Sequence, residues 1–61
     1  MEQRYYIRYA RPYESGTAYY TEAEYNVAVK DYNRVLKVGD LIGILFYDRQ
    51  LQRPVAQWGN A

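Results

Sequence analysis

The sequence predicts a small α+β fold, a β-β-α-β-β arrangement in which one amphipathic helix packs on one face of an antiparallel sheet. Three observations lead to this prediction. The chain opens with a segment that alternates with period two, its middle carries apolar residues at helical spacing behind a capping box, and its last third holds two apolar runs separated by polar residues. With 61 residues and no linker-like stretch, we expect one domain, 1–61.

The first element is a strand over 4–11, because its side chains alternate between two faces. We expect one of these faces to pack under the helix, and its members are Tyr5, Ile7 and Tyr9. The other face carries Arg4, Tyr6, Arg8 and Ala10. Pro12 is expected to end the strand. The segment PYESGT is rich in residues that favour turns, and Gly16 within it is able to take a positive φ. TAYY, residues 17–20, is the second strand.

The helix is predicted over 22–38. Thr21 and Glu24 have the spacing of a capping box, in which each side chain satisfies a backbone N–H of the other. One apolar stripe follows at spacings of three and four, and Gly39 is expected to end the helix in the left-handed conformation. The stripe consists of Tyr25, Ala28, Val29, Tyr32, Val35 and Leu36.

The third strand is LIGILFY, residues 41–47, and the fourth is VAQW, residues 55–58, which pairs back on it as a hairpin. LIGILFY is apolar on both faces, which indicates that both are covered. One helix can cover only one face of a sheet. We therefore expect a second copy of the chain to cover the other, so that a homodimer forms through packed sheets.

The dimer interface depends on which face of the third strand turns away from the helix. The first expectation places Ile42, Ile44, Phe46 and Trp58 there. Since the register is open, Leu41, Leu45 and Tyr47 could replace them. A tightly twisted sheet shielded by its own loops is the alternative to a dimer.

The composition argues against several functions. The chain has no histidine and no cysteine, so the usual catalytic base, the best nucleophile and ordinary zinc ligands are missing. We expect a protein that is not an enzyme and that uses no cofactor or metal. The N-terminal segment does not resemble a signal peptide, and the longest apolar run is far shorter than the roughly 20 residues of a membrane span. A cytoplasmic location, in the host cell if the protein is viral, is therefore expected.

Nine tyrosines in 61 residues suggest a contact surface, because tyrosine is enriched where proteins bind each other. We expect a protein-binding module that inhibits or modulates an unidentified partner protein. The predicted contact residues are Tyr6, Arg8, Arg11, Tyr13 and Tyr19. The alternative is a small nucleic-acid-binding protein, in which the tyrosines of the first strand stack on bases and Arg4, Arg8 and Arg11 neutralise phosphates. A net charge of only +1 weakens that alternative.

The layout resembles that of small orphan proteins of phages and mobile elements. The resemblance covers most of the chain and is carried by RYYIRY in the opening strand, TEAEYNVAV at the capped helix, and ILFYD with PVAQW in the closing hairpin. Proteins of that kind often inhibit host enzymes or antiviral defence systems, which is what the resemblance implies here. It assigns no functional residue.

Overall fold

A computed structural model describes residues 2–60 and confirms the α+β fold. The strands are β1 (Gln3–Arg11), β2 (Glu14–Thr21), β3 (Gly43–Asp48) and β4 (Arg53–Gly59). A short 3-10 turn (Glu22–Glu24) leads directly into the helix α1 (Tyr25–Leu36). In the described part of the chain, no helix has the length and apolar character needed to cross a bilayer.

The four strands form one antiparallel sheet in the order β2-β1-β3-β4. The sheet therefore consists of two hairpins, β1–β2 and β3–β4, joined along a central seam between β1 and β3. The helix lies in the connection between β2 and β3 and packs over β1, β2 and β3. Within residues 2–60, no Cα atom of the helix lies within 8 Å of one in β4.

The core lies between α1 and the sheet, and it uses the face of β1 predicted for it. Tyr5 and Ile7 are buried, and the Tyr5 ring lies 5.3 Å from the ring of Tyr25 on the helix. The β2 strand is tied to the helix by Tyr20, whose hydroxyl donates to Asp31 at 2.8 Å. Burial and this hydrogen bond raise the pKa of Tyr20 to about 12.

The face of β3 first expected to form the dimer interface is instead part of this core. Ile44 is 0% exposed and Phe46 is 2% exposed, and the Phe46 ring lies 5.9 Å from the ring of Tyr32 on the helix. That placement was wrong. The reason is the register: Ile7 lies opposite Phe46, so the two strands bury the same face. The alternative residues Leu45 and Tyr47 point away from the helix.

The remaining interface candidates lie at the margins of the sheet. Leu41 precedes β3 and is buried in the core, so it does not share the face of Leu45. Trp58 pairs with Ile44 and thus lies on the helix side of β4, where no helix covers it, and it is 51% exposed. Ile42 also precedes β3 and is 45% exposed.

The helix begins as predicted and ends differently. Thr21 is the N-cap, and its backbone N–H donates to the Glu24 carboxylate at 2.8 Å. The α-helix ends at Leu36, with Lys37 as C-cap, two residues earlier than expected. Gly39 does not have a positive φ; among residues 2–60, Gly59 is the glycine that does, at 67°. Lys37 and Val38 instead close the helix by bonding to the carbonyls of Arg34 and Val35.

The first hairpin turns earlier than the sequence suggested. Arg11 pairs with Glu14, so the loop is only Pro12 and Tyr13. Gly16 lies inside β2, where it pairs with Tyr9 and does not adopt a positive φ. A Cβ at position 16 would meet the Tyr9 hydroxyl at 2.9 Å. This glycine therefore makes room for a ring, and its turn role was wrongly predicted.

Candidate binding face

The sheet face turned away from α1, here called the open face, carries three tyrosines in a row. Strand alternation places Tyr6 there, since its neighbours Tyr5 and Ile7 are in the core. Tyr6 pairs directly with Tyr19 on β2 and with Tyr47 on β3. We call these three residues the tyrosine row.

The rings of the tyrosine row contact one another. The Tyr6 and Tyr47 rings are stacked, with centroids 5.2 Å apart and planes 24° from parallel. The Tyr6 and Tyr19 rings are tilted by 57° at 6.0 Å. Such pairs restrain one another beyond their burial. The row is therefore a preorganised aromatic surface, with Tyr19 at its outer end 50% exposed.

The row next to the tyrosines is mixed. Arg8 pairs with Thr17 on one side and with Leu45 on the other, and Leu45 pairs with Gln57 on β4. Arg8 is exposed, while Leu45 is half-buried. Within residues 2–60, no carboxylate lies within ion-pairing distance of Arg8. The open face thus offers aromatic rings, an aliphatic centre and a guanidinium group that is available to a partner.

The acidic side chains of the described strands do not lie on the open face. Among the described strands the carboxylates are those of Glu14 and Asp48. Glu14 accepts a hydrogen bond from the Tyr9 hydroxyl at 3.0 Å on the helix side. Asp48 pairs with Tyr5 and is likewise turned to the helix side. The charge of the open face therefore comes from arginine.

Arg4 does not share the open face, although simple alternation places it beside Tyr6. A β-bulge between Gln3 and Tyr5 breaks the alternation at this residue. The Arg4 guanidinium forms two hydrogen bonds with Asp48, at 3.0 and 3.2 Å, and an ion pair with Glu22. It also lies over the Tyr5 ring, 5.2 Å from the centroid. Arg4 is therefore a structural clamp.

The clamp around Asp48 also shapes one end of the open face. Besides Arg4, the buried Asp48 carboxylate accepts backbone N–H groups of Gln50 and Leu51 at 2.9 and 3.2 Å, which fixes the β3–β4 turn. That turn presents Arg49, whose guanidinium lies 5.9 Å from the Tyr19 ring centroid. The hydrogen bonds from Arg4 are the main cause that holds the pKa of Asp48 below its ordinary value.

Of the five predicted contact residues, the structure brings Tyr6, Arg8 and Tyr19 together. Arg11 lies on the helix side, where it is paired with Asp40 at 3.1 Å and with Glu14 at 3.7 Å. Tyr13 is at the tip of the β1–β2 turn and is 95% exposed, separate from the tyrosine row. These two residues do not belong to the same surface as the other three.

The open face also contains three residues that the sequence analysis does not place in the partner-binding surface: Leu45, Tyr47 and Arg49. Leu45 and Tyr47 were named only as alternatives for the dimer interface. Arg49 lies between the two predicted strands of the closing hairpin, where the sequence pattern assigns it no role. The one available signal was the tyrosine at position 47, since an antiparallel neighbour of β1 that carries an aromatic residue often places it beside another.

Comparisons with protein-family models, with curated proteins and with solved structures found no match to this chain.

Proposed function

We propose that this protein is a non-enzymatic binding module, acting as a homodimer, that inhibits or modulates a partner protein by occupying it with the open face. The observation that carries the proposal is the tyrosine row: three rings held against one another on an uncovered sheet face. Clustered aromatic residues and arginine supply much of the binding energy at protein interfaces. The resemblance to small phage proteins suggests a host enzyme or defence protein as the target.

The geometry of the rings supports a protein partner over a nucleic acid. Tyr6 and Tyr47 stack on each other, so their facing surfaces are occupied and unavailable to intercalating bases. Arg4 and Arg11 are held by carboxylates, which leaves few cations for phosphates. A protein surface needs only the edges and exposed sides of such rings, together with the apolar contact at Leu45.

A single-stranded nucleic acid is the second candidate, and the charge of the open face favours it. Arg8 and Arg49 flank the tyrosine row, while both strand carboxylates lie on the helix side. Stacking on tyrosine and contacts between arginine and phosphate are the usual elements of single-strand binding.

The test is a pull-down from nuclease-treated bacterial lysate, with the partner quantified by mass spectrometry. The variant Tyr47→Ala removes the stacked ring of the row, and Val27→Ala is the control because Val27 is 51% exposed on the helix, away from the open face. We expect one protein to be retained in fixed stoichiometry by the wild type and the control, and at least about tenfold less by Tyr47→Ala.

Equal retention by Tyr47→Ala would contradict the open face as the binding surface. If no protein is retained, a labelled single-stranded oligonucleotide distinguishes the second candidate. Binding that weakens with salt and is lost in Arg8→Ala would favour nucleic acid over protein.

A further inference from the structure

The outer edge of β4 is an unpaired strand edge without the usual protection by charge. Since β4 is last in the sheet order, one side of its backbone has no strand neighbour within residues 2–60. Its single charged residue is Arg53 at the start, and residues 54–60 carry none. Exposed edges normally carry charged side chains that prevent pairing with other chains. The edge of β4 is therefore able to accept another strand.

The hydrogen-bond pattern shows which backbone groups face outward. Asn60 N–H donates to the Ile42 carbonyl at 3.2 Å, one step beyond the pair formed by Gly43 and Gly59. Bonded pairs recur at every second residue of an antiparallel ladder, so Trp58 and Ala56 are bonded to β3. Gln57 lies between them, and its N–H and C=O point to the open edge.

Centred on Gln57, β4 is complementary to an antiparallel copy of itself. In that register Gln57 pairs with Gln57 of the second copy, and Trp58 pairs with Ala56. The large ring thus lies opposite the smallest side chain available, and both are on the helix side of the sheet. The regular part of the paired segment is short, because a β-bulge leaves Val55 without a partner on β3 and Gly59 has a φ of 67°. Pro54, which cannot donate, falls outside the paired segment. No like charges meet.

Exposed apolar side chains lie along the same edge. On β4 itself, Val55 is 41% exposed and Trp58 is 51% exposed, and no Cα atom of α1 lies within 8 Å of one in β4 in the described part of the chain. Pairing two β4 strands would place these side chains of both copies along one junction and remove part of their surface from water. Small domains with a limited core commonly gain stability in this way.

We propose that a second copy of this chain adds to the β4 edge in this register, giving one continuous eight-stranded sheet. The inference rests on the homodimeric state proposed above and replaces face-to-face packing of two sheets. Antiparallel neighbours are related by a two-fold axis perpendicular to the sheet. Both helices therefore lie on one side, and both tyrosine rows lie free on the other, side by side.

The test places a charged residue of either sign at position 57, on the two-fold axis. Sedimentation equilibrium over a dilution series measures the dimer dissociation constant of each variant. Gln57→Lys and Gln57→Glu each bring two like charges directly opposite one another, and each should raise the dimer dissociation constant by at least about tenfold. An equimolar mixture of the two variants should restore a dimer. Gln57 is exposed on the open face, so neither change disturbs the core.

The other sheet edge provides the matched control. Thr17 is exposed on the edge strand β2, and Thr17→Lys should leave the dissociation constant unchanged. A wild type that is monomeric at millimolar concentration would overturn the homodimer altogether. A dimer that resists both Gln57 variants but is dissociated by Tyr47→Ala would overturn only the β4 register, and would assign the interface to the open face. Partner capture in the pull-down is measured independently of either result.

Discussion

At the scale of single residues, the buried carboxylate of Asp48 connects separate parts of the fold. It is 4% exposed and joins the start of β1 to the β3–β4 turn through Arg4 and two backbone N–H groups. A buried carboxylate is stable only when such partners compensate for its lost hydration. Removing its charge would leave the Arg4 guanidinium without its main partner.

The charge of Asp48 predicts an acid-dependent loss of stability. Because the folded state holds the pKa of Asp48 below 3.8, the carboxylate stabilises the fold above that pH, and the contribution is lost as pH falls from there through the lowered pKa. We expect Asp48→Asn to be less stable than the wild type at pH 7 and to show a flatter decline in the free energy of unfolding below pH 3.8.

The control for this change is Asp40→Asn, which also removes an aspartate paired with an arginine, but one whose side chain is 43% exposed. Chemical denaturation at a series of pH values measures both variants. If Asp48→Asn followed the wild-type pH dependence in parallel, the clamp would not be the source of the acid sensitivity.

At the scale of elements, the start of the helix depends on the bond from Thr21 N–H to the Glu24 carboxylate. Glu24→Ala should lower the free energy of unfolding by about 0.5–1 kcal/mol, because the backbone N–H of the N-cap residue Thr21 loses its partner. Glu24→Gln keeps an acceptor oxygen and should retain most of that stability. The measurement is urea denaturation followed by circular dichroism. Equal losses in the two variants would show that the charge of Glu24 matters and the capping bond does not.

The sequence was informative wherever one face of an element is apolar and the other is not. Alternation along β1 predicted that Tyr5 and Ile7 are buried and that Tyr6 lies on the other face, and the structure confirms this. The helical stripe predicted Ala28 and Tyr32 in the core in the same way. Neither pattern requires knowledge of distant contacts, because a one-residue shift would expose the whole apolar set.

Prediction failed where both faces are apolar or where a distant partner decides the outcome. In β3, Phe46 and Tyr47 are both large and aromatic, so the choice of the buried face came from pairing with β1. Arg4 leaves the open face because of Asp48, which is 44 residues away. For the same reason the candidate site was found only in part: Tyr6 and Tyr19 follow from local alternation, whereas Tyr47 and Arg49 depend on the fold.

At the scale of the whole molecule, dimerisation through β4 should make thermal stability depend on concentration. A copy that binds only the folded chain stabilises it by mass action, and for a domain of this size each kcal/mol corresponds to about 4–8 °C. We expect the midpoint of thermal unfolding to rise by several degrees between micromolar and millimolar wild-type protein. For Gln57→Lys the rise over the same range should be smaller, because its dimer is weaker, and calorimetry of both chains measures the difference. If the midpoints of the wild type and of Gln57→Lys depended on concentration to the same extent, dimerisation through β4 would not be the cause of that dependence.

The sheet consists of two hairpins joined along β1 and β3, and this arrangement affects how fast the chain folds. Each hairpin closes a short loop, with Pro12 and Tyr13 between β1 and β2 and four residues between β3 and β4. The pairing of β1 with β3 must instead bring together segments separated by the whole of β2 and the helix. Loop-closure entropy makes that step the slow one, so the pairing of β1 with β3 limits how fast the chain folds.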